Sequence, residues 1–174
     1  VTAFSYATPV CSNAGNQLPT LSPGFTTGGT FSSSAGLSIN AGTGDINVGA
    51  STPGSYTVTY NIPASGCQLA GSNTANININ PTITPVPGFS YTSPVCSNAG
   101  NQSPILTAGF TGGGTFSSTA GLSINPGTGV INVAGSTPGS YSIAYNVAAS
   151  GCQLAGSQTA TITITATTNP VTGF

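Results

Sequence analysis

The chain of 174 residues contains no Lys, Arg or His and a single acidic side chain, Asp45, so its formal net charge is −1. Nucleic-acid binding is not expected, because Lys and Arg supply the phosphate neutralisation on which that affinity depends. Attachment to anionic membranes through basic residues is ruled out for the same reason. No apolar run reaches the roughly 18 residues of a membrane-spanning helix, so direct membrane insertion is not expected either.

Short apolar segments separated by Gly, Pro and Asn fill the first half of the chain and predict an all-β fold. We expect about seven strands there, over residues 4–6, 18–21, 28–33, 37–39, 46–48, 56–62 and 75–79. Residues 11–17 are expected to form a loop, and residues 40–45 a loop of the hairpin type. No segment has the periodicity of a helix.

Residues 56–62 form the clearest of these predicted strands. Apolar and polar side chains alternate strictly from Tyr56 to Ile62, which is typical of a strand with one buried face. A turn at residues 52–55 precedes this strand, and a second turn at residues 64–66 leads to Cys67.

The second half of the chain repeats the first. A shift of 85 residues aligns residues 1–85 with residues 86–170 without a gap, and 59 of these positions are identical. Phe174 takes the place of Phe4 and Phe89, so we interpret the chain as two periods of a longer tandem array, and as a mature segment or excerpt. The predicted boundaries are 1–81 for the first repeat, 82–88 for a Pro-rich linker, 89–166 for the second repeat, and 167–174 for a linker and the start of a third.

Differences between the copies separate inward-facing from outward-facing positions. Asn76 and Asn78 become Thr161 and Thr163, whereas the Ile residues between and after them are kept. Because side chains on a strand alternate between faces, the Ile residues are predicted to point inward. The predicted core consists of Phe4, Tyr6, Phe31, Tyr56, Val58, Tyr60, Ile77 and Ile79, and of Phe89, Tyr91, Phe116, Tyr141, Ile143, Tyr145, Ile162 and Ile164.

About seven strands with frequent turns in each repeat favour a β-sandwich. A β-solenoid is the main alternative, but solenoid repeats commonly have 20–30 residues, and nothing within the 85-residue period recurs. The Pro-rich segment between the copies is expected to be an extended, stiff spacer. Successive sandwiches are therefore predicted to follow one another end to end.

Each repeat contains two cysteines, at positions 11 and 67 and at positions 96 and 152. If each copy folds alike, the disulfides are Cys11–Cys67 and Cys96–Cys152. Zinc binding is the rival interpretation, but closely spaced ligand pairs and His are missing. In the chain-entropy model each bridge would contribute on the order of 4 kcal/mol to a small domain. Disulfides persist outside the cytoplasm, so an extracellular, cell-surface location is predicted.

The residue inventory argues against catalysis. General acid–base chemistry needs groups such as His or paired carboxylates, and Asp45, the one carboxylate, is replaced by Val130 in the second copy. Calcium sites need several carboxylate oxygens. We therefore expect no enzymatic activity, no catalytic residues, no cofactor and no metal site.

The motifs of the repeat carry a resemblance to a known family. They are Phe-Ser-Tyr at 4–6, Pro-Val-Cys-Ser-Asn-Ala-Gly-Asn-Gln at 9–17, Gly-Gly-Thr-Phe-Ser-Ser at 28–33, Gly-Leu-Ser-Ile-Asn at 36–40, Ile-Asn-Val at 46–48 and Ser-Thr-Pro-Gly-Ser-Tyr at 51–56. Over essentially the whole chain this pattern resembles the tandem immunoglobulin-like repeats of very large Bacteroidetes surface proteins, including gliding-motility adhesins and proteins exported by type IX secretion. The resemblance implies tandem immunoglobulin-like β-sandwiches in an extracellular stalk or adhesive fibre.

The chain departs from the antibody-type pattern. It has no Trp to pack on a core disulfide, and Tyr60 lies seven residues before Cys67 rather than two. Cys11 follows soon after the first strand, so a bridge is expected at an edge or end of the sandwich rather than at its centre.

Three functions follow as hypotheses. The first is a structural stalk repeat of a long surface adhesin or fibre, whose partners are further copies of the repeat in the same chain. The second is a self-assembling extracellular filament, in which uncharged edge strands pair with neighbouring fibres. The third is a binding module that contacts glycans or surfaces through exposed Thr, Asn and Tyr.

Overall fold

The computed structural model describes residues 1–168. The chain divides into two compact units, Val1–Ile83 and Thr84–Phe174. Within the described residues each unit contains six strands and one short 3-10 helix. Residues 169–174, which include most of the predicted start of a third repeat, lie outside the described residues.

The first unit is built from two sheets. Its strands are β1 (Phe4–Ser5), β2 (Val10–Cys11), β3 (Thr20–Leu21), β4 (Thr30–Ser33), β5 (Gly54–Ile62) and β6 (Gly71–Asn80). The larger sheet has the order β2-β6-β5-β4, and β1 and β3 form the smaller one. All pairs are antiparallel except β2 and β6, which run parallel with Cys11 opposite Asn80.

The second unit has the same topology. Its strands are β7 (Phe89–Ser90), β8 (Val95–Cys96), β9 (Ile105–Leu106), β10 (Thr115–Ser118), β11 (Gly139–Val147) and β12 (Gly156–Thr165). The sheet orders are β8-β12-β11-β10 and β7-β9. The parallel pair is again at the edge, with Cys96 opposite Thr165.

One face of each long strand supplies the core. In β5 the side chains alternate between buried and solvent-facing from Tyr56 to Ile62, and in β6 Ile77 and Ile79 are buried while their neighbours are not. The first core contains the buried residues Phe4, Tyr6, Phe31, Ile46, Val48, Tyr56, Val58, Tyr60, Ile62, Ile77 and Ile79. The second core contains the same positions 85 residues further on.

Aromatic rings join the two layers of each sandwich. The ring of Phe4 from β1 meets the ring of Phe31 from β4 edge-on, with centroids 5.3 Å apart. Phe31 in turn packs on Tyr60 from β5 at 4.5 Å. The backbone before β4 approaches this cluster closely, because a Cβ at Gly29 would lie 2.7 Å from Cζ of Tyr60. These contacts fix the small sheet over the large one.

The all-β sandwich prediction is confirmed, because each of the two units packs a four-stranded sheet against a two-stranded one. Several strand boundaries differ from the predicted ones. Residues 37–39 and 46–48 do not form strands but meet only at the isolated bridge Ile39–Ile46, and a 3-10 helix covers Val48–Ala50. Asn47 ends strand pairing there, because its side chain accepts a hydrogen bond from the N–H of Ala50 at 3.1 Å.

Candidate functional site

The two cysteines of a repeat lie at opposite ends of its large sheet. Cys11 ends β2 beside Asn80, the last residue of β6. The Ser12 N–H donates to the Asn80 carbonyl at 2.8 Å, and the Thr82 N–H donates to Oγ of Ser12 at 2.9 Å. Cys11 is therefore held where the chain leaves the sandwich.

Cys67 lies at the tip of the hairpin that joins β5 to β6. The ladder of this hairpin ends with Ile62 opposite Gly71. Beyond it, Ser65 and Gln68 form an isolated bridge, and Gly66 takes a positive φ of 59° in the turn that they enclose. The second repeat builds the same tip at Cys152, between Ser150 and Gln153.

This placement excludes the predicted pairs Cys11–Cys67 and Cys96–Cys152. Strand β6 extends over ten residues from Gly71 to Asn80, which is about 30 Å at the rise of a β-strand. The four residues from Cys67 to Gly71 could recover at most about 13 Å of that length. A disulfide needs Cα atoms within about 7 Å.

The oxidation states of the four cysteines are consistent with the exclusion of a disulfide inside either repeat. Cys67 and Cys96 carry free, exposed thiols, whereas Cys11 and Cys152 are disulfide-bonded. The prediction of one bridge inside each repeat was therefore wrong. It assumed that two cysteines in one domain face each other, and the sequence alone does not reveal that β2 pairs in parallel with the far end of β6.

The chain also begins and ends each unit at opposite ends of the sandwich. At the start of the first unit, Thr2 lies beside Gly71, since a Cβ at Gly71 would be 3.7 Å from Cγ2 of Thr2. At its end, the chain passes Asn80 and is bonded at Thr82 to Ser12. The hairpin cysteine thus marks the N-terminal end of a unit, and the β2 cysteine marks the C-terminal end.

The second unit repeats this arrangement. Pro85 lies against Gly156, the first residue of β12, because a Cβ at Gly156 would be 2.6 Å from Cγ of Pro85. At the other end of β12, the Thr167 N–H donates to Oγ of Ser97 at 3.0 Å.

The outward face of the β5–β6 hairpin carries a row of polar side chains that bond to one another. Oγ1 of Thr57 donates to Oδ1 of Asn76 at 2.9 Å, and Nδ2 of Asn78 donates to Oδ1 of Asn80 at 3.2 Å. In the second repeat the three Asn positions are Thr161, Thr163 and Thr165. A ligand that needs the Asn row would therefore meet different chemistry on the second copy.

Tyrosine hydroxyls tie loops to the core. The Tyr6 hydroxyl donates to the Gly44 carbonyl at 2.6 Å, and Tyr91 makes the equivalent bond to Gly129. Burial raises the pKa of Tyr6 to about 12, and the Asp45 carboxylate adds a smaller contribution in the same direction. Burial alone raises the pKa of Tyr91 to about 12. These phenols therefore stay neutral and act as structural donors at physiological pH.

The sixteen core residues expected from the sequence are all buried. The predicted core did not include Ile46, Val48 and Ile62 or their counterparts, which are also buried. Ile46 precedes the 3-10 helix and Val48 is its first residue, whereas Ile62 continues the alternation of β5. Among residues 1–168, no group of three or more His, Cys, Asp or Glu side chains could hold a metal ion. The described part of the chain likewise contains no helix with the length and apolar character needed to cross a membrane.

Comparisons with known proteins give distant structural likenesses only. No protein-family model and no curated protein matches the sequence. Among solved structures, human protocadherin-24 EC1-2 is similar with a TM-score of 0.45 and 9% identity, over 96% of this chain and 100% of that one. Sidekick-1 immunoglobulin domains 1-5 match with a TM-score of 0.41 and 10% identity, over 95% of this chain and 38% of that one.

A bacterial surface protein is also similar. It is a SusE-like, surface-located polysaccharide-binding protein from the Bacteroides thetaiotaomicron heparin utilisation locus, with a TM-score of 0.32 and 14% identity. The match covers 92% of this chain, which spans 33% of the length of that protein.

Proposed function

We propose that each repeat is a non-catalytic structural segment of a long extracellular surface adhesin or fibre, of the kind found in Bacteroidetes gliding and type IX secreted proteins. The observation that carries the proposal is the position of the chain ends within a unit. The chain begins beside Gly71 and leaves beside Asn80, at opposite ends of the longest strand. Within one unit, the entry and exit of the chain are therefore separated by about the length of β6, roughly 30 Å.

The comparison of the two copies supports a mechanical role. The same eleven positions are buried in both units, with Val58 and Ile143 fully inaccessible in their respective cores. The outward rows of β6 and β12 differ instead. In this repeat the core packing is preserved while the exposed side chains vary. Such a repeat is better suited to act as a structural spacer than to present one conserved recognition surface.

The disulfide-bonded cysteines are consistent with an extracellular location. Cys11 and Cys152 are disulfide-bonded, and such bonds persist where thiols are not kept reduced. No part of the proposed role requires a cofactor, a metal ion or an acid–base residue. Further copies of the repeat in the same chain are the proposed partners.

Electron microscopy of chains with two, four and eight repeats tests the proposal. We expect single thin threads whose contour length grows linearly, by at least about 30 Å per repeat. Compact particles that do not lengthen, or multistranded fibres with helical order, would contradict a stalk, and the latter would indicate self-assembly. Saturable glycan binding by both repeats alike would instead identify a binding module.

A further inference from the structure

We propose that the second repeat carries a binding site for a neutral saccharide, in a groove of about 420 Å³ between its loops. This volume lies within the range of about 300–1,000 Å³ that is typical of small-molecule sites. All of the residues that line the groove belong to the second unit. The site goes beyond the proposed stalk function, which requires no ligand.

Three asparagines and a serine supply the polar part of the groove: Asn101, Ser123, Asn125 and Asn132. Oδ1 of Asn125 accepts hydrogen bonds from the N–H of Gly127 at 2.9 Å and from the N–H of Thr128 at 3.0 Å. Oδ1 of Asn132 accepts one from the N–H of Gly135 at 3.1 Å. Because these bonds occupy the oxygen end of each amide, the NH₂ ends remain as donors for a ligand.

Asn101 and Ser123 add groups that can both donate and accept. Both residues are exposed. The Ser123 N–H donates to Oγ of Ser136 at 2.9 Å, but within residues 1–168 neither the Ser123 hydroxyl nor the Asn101 amide makes a hydrogen bond. Hydroxyl and amide groups have the donors and acceptors that the hydroxyls of a sugar need.

The apolar part of the groove consists of Ile124, Pro126 and Val130. Ile124 and Val130 are half-buried, and Pro126 is exposed. A pyranose ring has an apolar C–H face and hydroxyls around its edge, so an apolar patch beside amide and hydroxyl groups matches both parts of the ring. The chain has no Lys, Arg or His to pair with an acidic sugar. The ligand class is therefore a neutral saccharide.

The backbone of the groove is already hydrogen-bonded within the repeat. The Asn125 N–H donates to the Val130 carbonyl at 2.9 Å. The Asn132 N–H donates to the Ser123 carbonyl at 2.9 Å. An extended peptide that binds by strand addition needs free backbone groups at a sheet edge. Recognition in this groove therefore depends on side chains, which favours a saccharide over a peptide strand.

The first repeat differs at two of the seven lining positions. Ala41 stands in place of Pro126, and Asp45 stands in place of Val130. A sugar ring placed on Asp45 would have to displace water from an ionised carboxylate, which costs free energy that Val130 does not. The site is therefore assigned to the second repeat alone.

NMR titration of the two-repeat chain with cellohexaose, maltohexaose and mannohexaose tests the proposal. At least one of these neutral saccharides should shift the side-chain amide signals of Asn101, Asn125 and Asn132 saturably, with a Kd of about 1 mM, because a small, open site offers few contacts to offset the cost of binding. The Kd should be the same at about 0.01 and 0.15 M NaCl, since no charge takes part. Shifts confined to other residues, or no saturation by any of the three up to about 10 mM, would overturn the proposal.

Substitutions at matched positions of the two copies locate the site. Asn101→Ala should raise the Kd about fivefold, because one hydrogen bond is lost, whereas Asn16→Ala, the same change in the first copy, should leave it unchanged. Val130→Asp installs the residue that the folded first repeat carries as Asp45, and it should raise the Kd about tenfold. Equal effects of the two alanine variants, or an unchanged Kd in Val130→Asp, would refute the site.

A gain of binding is the converse test. Ala41→Pro combined with Asp45→Val should complete the groove of the first repeat and raise the number of saccharides bound per chain from one to two. The local backbone is the same in both copies, because the Phe31 N–H donates to the Ala41 carbonyl at 2.8 Å. The Phe116 N–H donates to the Pro126 carbonyl at the same distance. A stoichiometry that stays at one would contradict the role assigned to these two positions.

The binding readout is independent of the stalk function. Val130→Asp should weaken saccharide binding without changing the length of the threads seen by electron microscopy. Threads of the expected length that bind none of the saccharides would refute the groove alone. Saccharide binding by particles that do not lengthen with repeat number would refute the stalk alone.

Discussion

At the scale of single residues, tyrosine hydroxyls form hydrogen bonds that hold loops to the core, a task for which this chain has almost no charged side chains. Tyr60 accepts a hydrogen bond from the Gly29 N–H at 2.9 Å and donates to the Thr26 carbonyl at 3.0 Å. Tyr56 donates to the Thr52 carbonyl at 2.7 Å. Each ring thus fills the core while its hydroxyl satisfies loop backbone that would otherwise be poorly paired.

The buried phenols predict a loss of stability in alkali. Because the pKa of Tyr6 and of Tyr91 is raised to about 12 in the folded chain, the unfolded chain releases these protons first as the pH rises. Their contribution is complete below pH 10, the ordinary value for Tyr, and is lost as the pH rises from 10 through about 12. Urea unfolding across this range should show a steadily falling free energy of unfolding.

Absorbance titration of tyrosinate provides the check. Tyr6 and Tyr91 should ionise only as the pH approaches about 12. Asp45→Asn removes only the smaller contribution to the Tyr6 pKa, so Tyr6 should still ionise late, and Tyr91 should not change. Ionisation of Tyr6 and Tyr91 near pH 10, the ordinary value for Tyr, would refute this prediction.

At the scale of elements, the two faces of β6 differ sharply in what they tolerate. Ile77 is 1% exposed and belongs to the first core, whereas Asn76 faces solvent and its side chain accepts a hydrogen bond from Thr57. The second repeat keeps Ile162 but has Thr161 at the neighbouring position. Substitution on the inward face should therefore cost far more than substitution on the outward face.

Two single substitutions measure this difference. Ile77→Ala should lower the free energy of unfolding of the first unit by about 2–5 kcal/mol, because it removes buried methylene groups and leaves a cavity. Asn76→Thr, which installs the residue of the second copy, should change it by less than about 0.5 kcal/mol. Chemical denaturation of the two-repeat chain supplies both values. Equal effects would mean that the strand register is not as described.

The inward-facing side chains could be predicted wherever the alternation within a single strand is enough to tell its two faces apart. The alternation from Tyr56 to Ile62 and the Asn-to-Thr exchanges beside Ile77 and Ile79 identified the inward faces without any knowledge of the partners. A strand of two residues is too short to show alternation. The sequence therefore predicts a loop from Cys11 onward, where the structure has the end of β2. Residues 46–48 have the apolar pattern of a strand, but Asn47 caps a 3-10 helix that begins at Val48 and ends the extended segment.

The cysteine pairing failed for a related reason. Which residues face each other across a sandwich depends on strand order and direction, and the parallel pairing of β2 with β6 is a nonlocal feature. Once Cys11 is known to lie opposite Asn80, the pair Cys11–Cys67 is excluded by strand length alone. The repeat indicated that both copies fold alike, but not that their cysteines lie at opposite ends.

At the scale of the whole molecule, the near absence of charge predicts a stability that hardly responds to salt or to neutral pH. With no Lys, Arg or His and one carboxylate, no ion pairs can be screened and no His can titrate between pH 5 and 8. The free energy of unfolding should change by less than about 0.5 kcal/mol between about 0.01 and 0.15 M NaCl. It should be equally flat from pH 5 to 8, because folding takes up or releases almost no protons there.

Sodium sulfate is the contrasting condition, because this salt strengthens apolar burial by exclusion from the protein surface rather than by screening charges. It should raise the midpoint of thermal unfolding at concentrations where NaCl has almost no effect. A strong dependence on NaCl would show that ion binding or charge contributes to the fold. Insensitivity to NaCl together with a response to sulfate would place nearly all of the stability in the two aromatic and aliphatic cores.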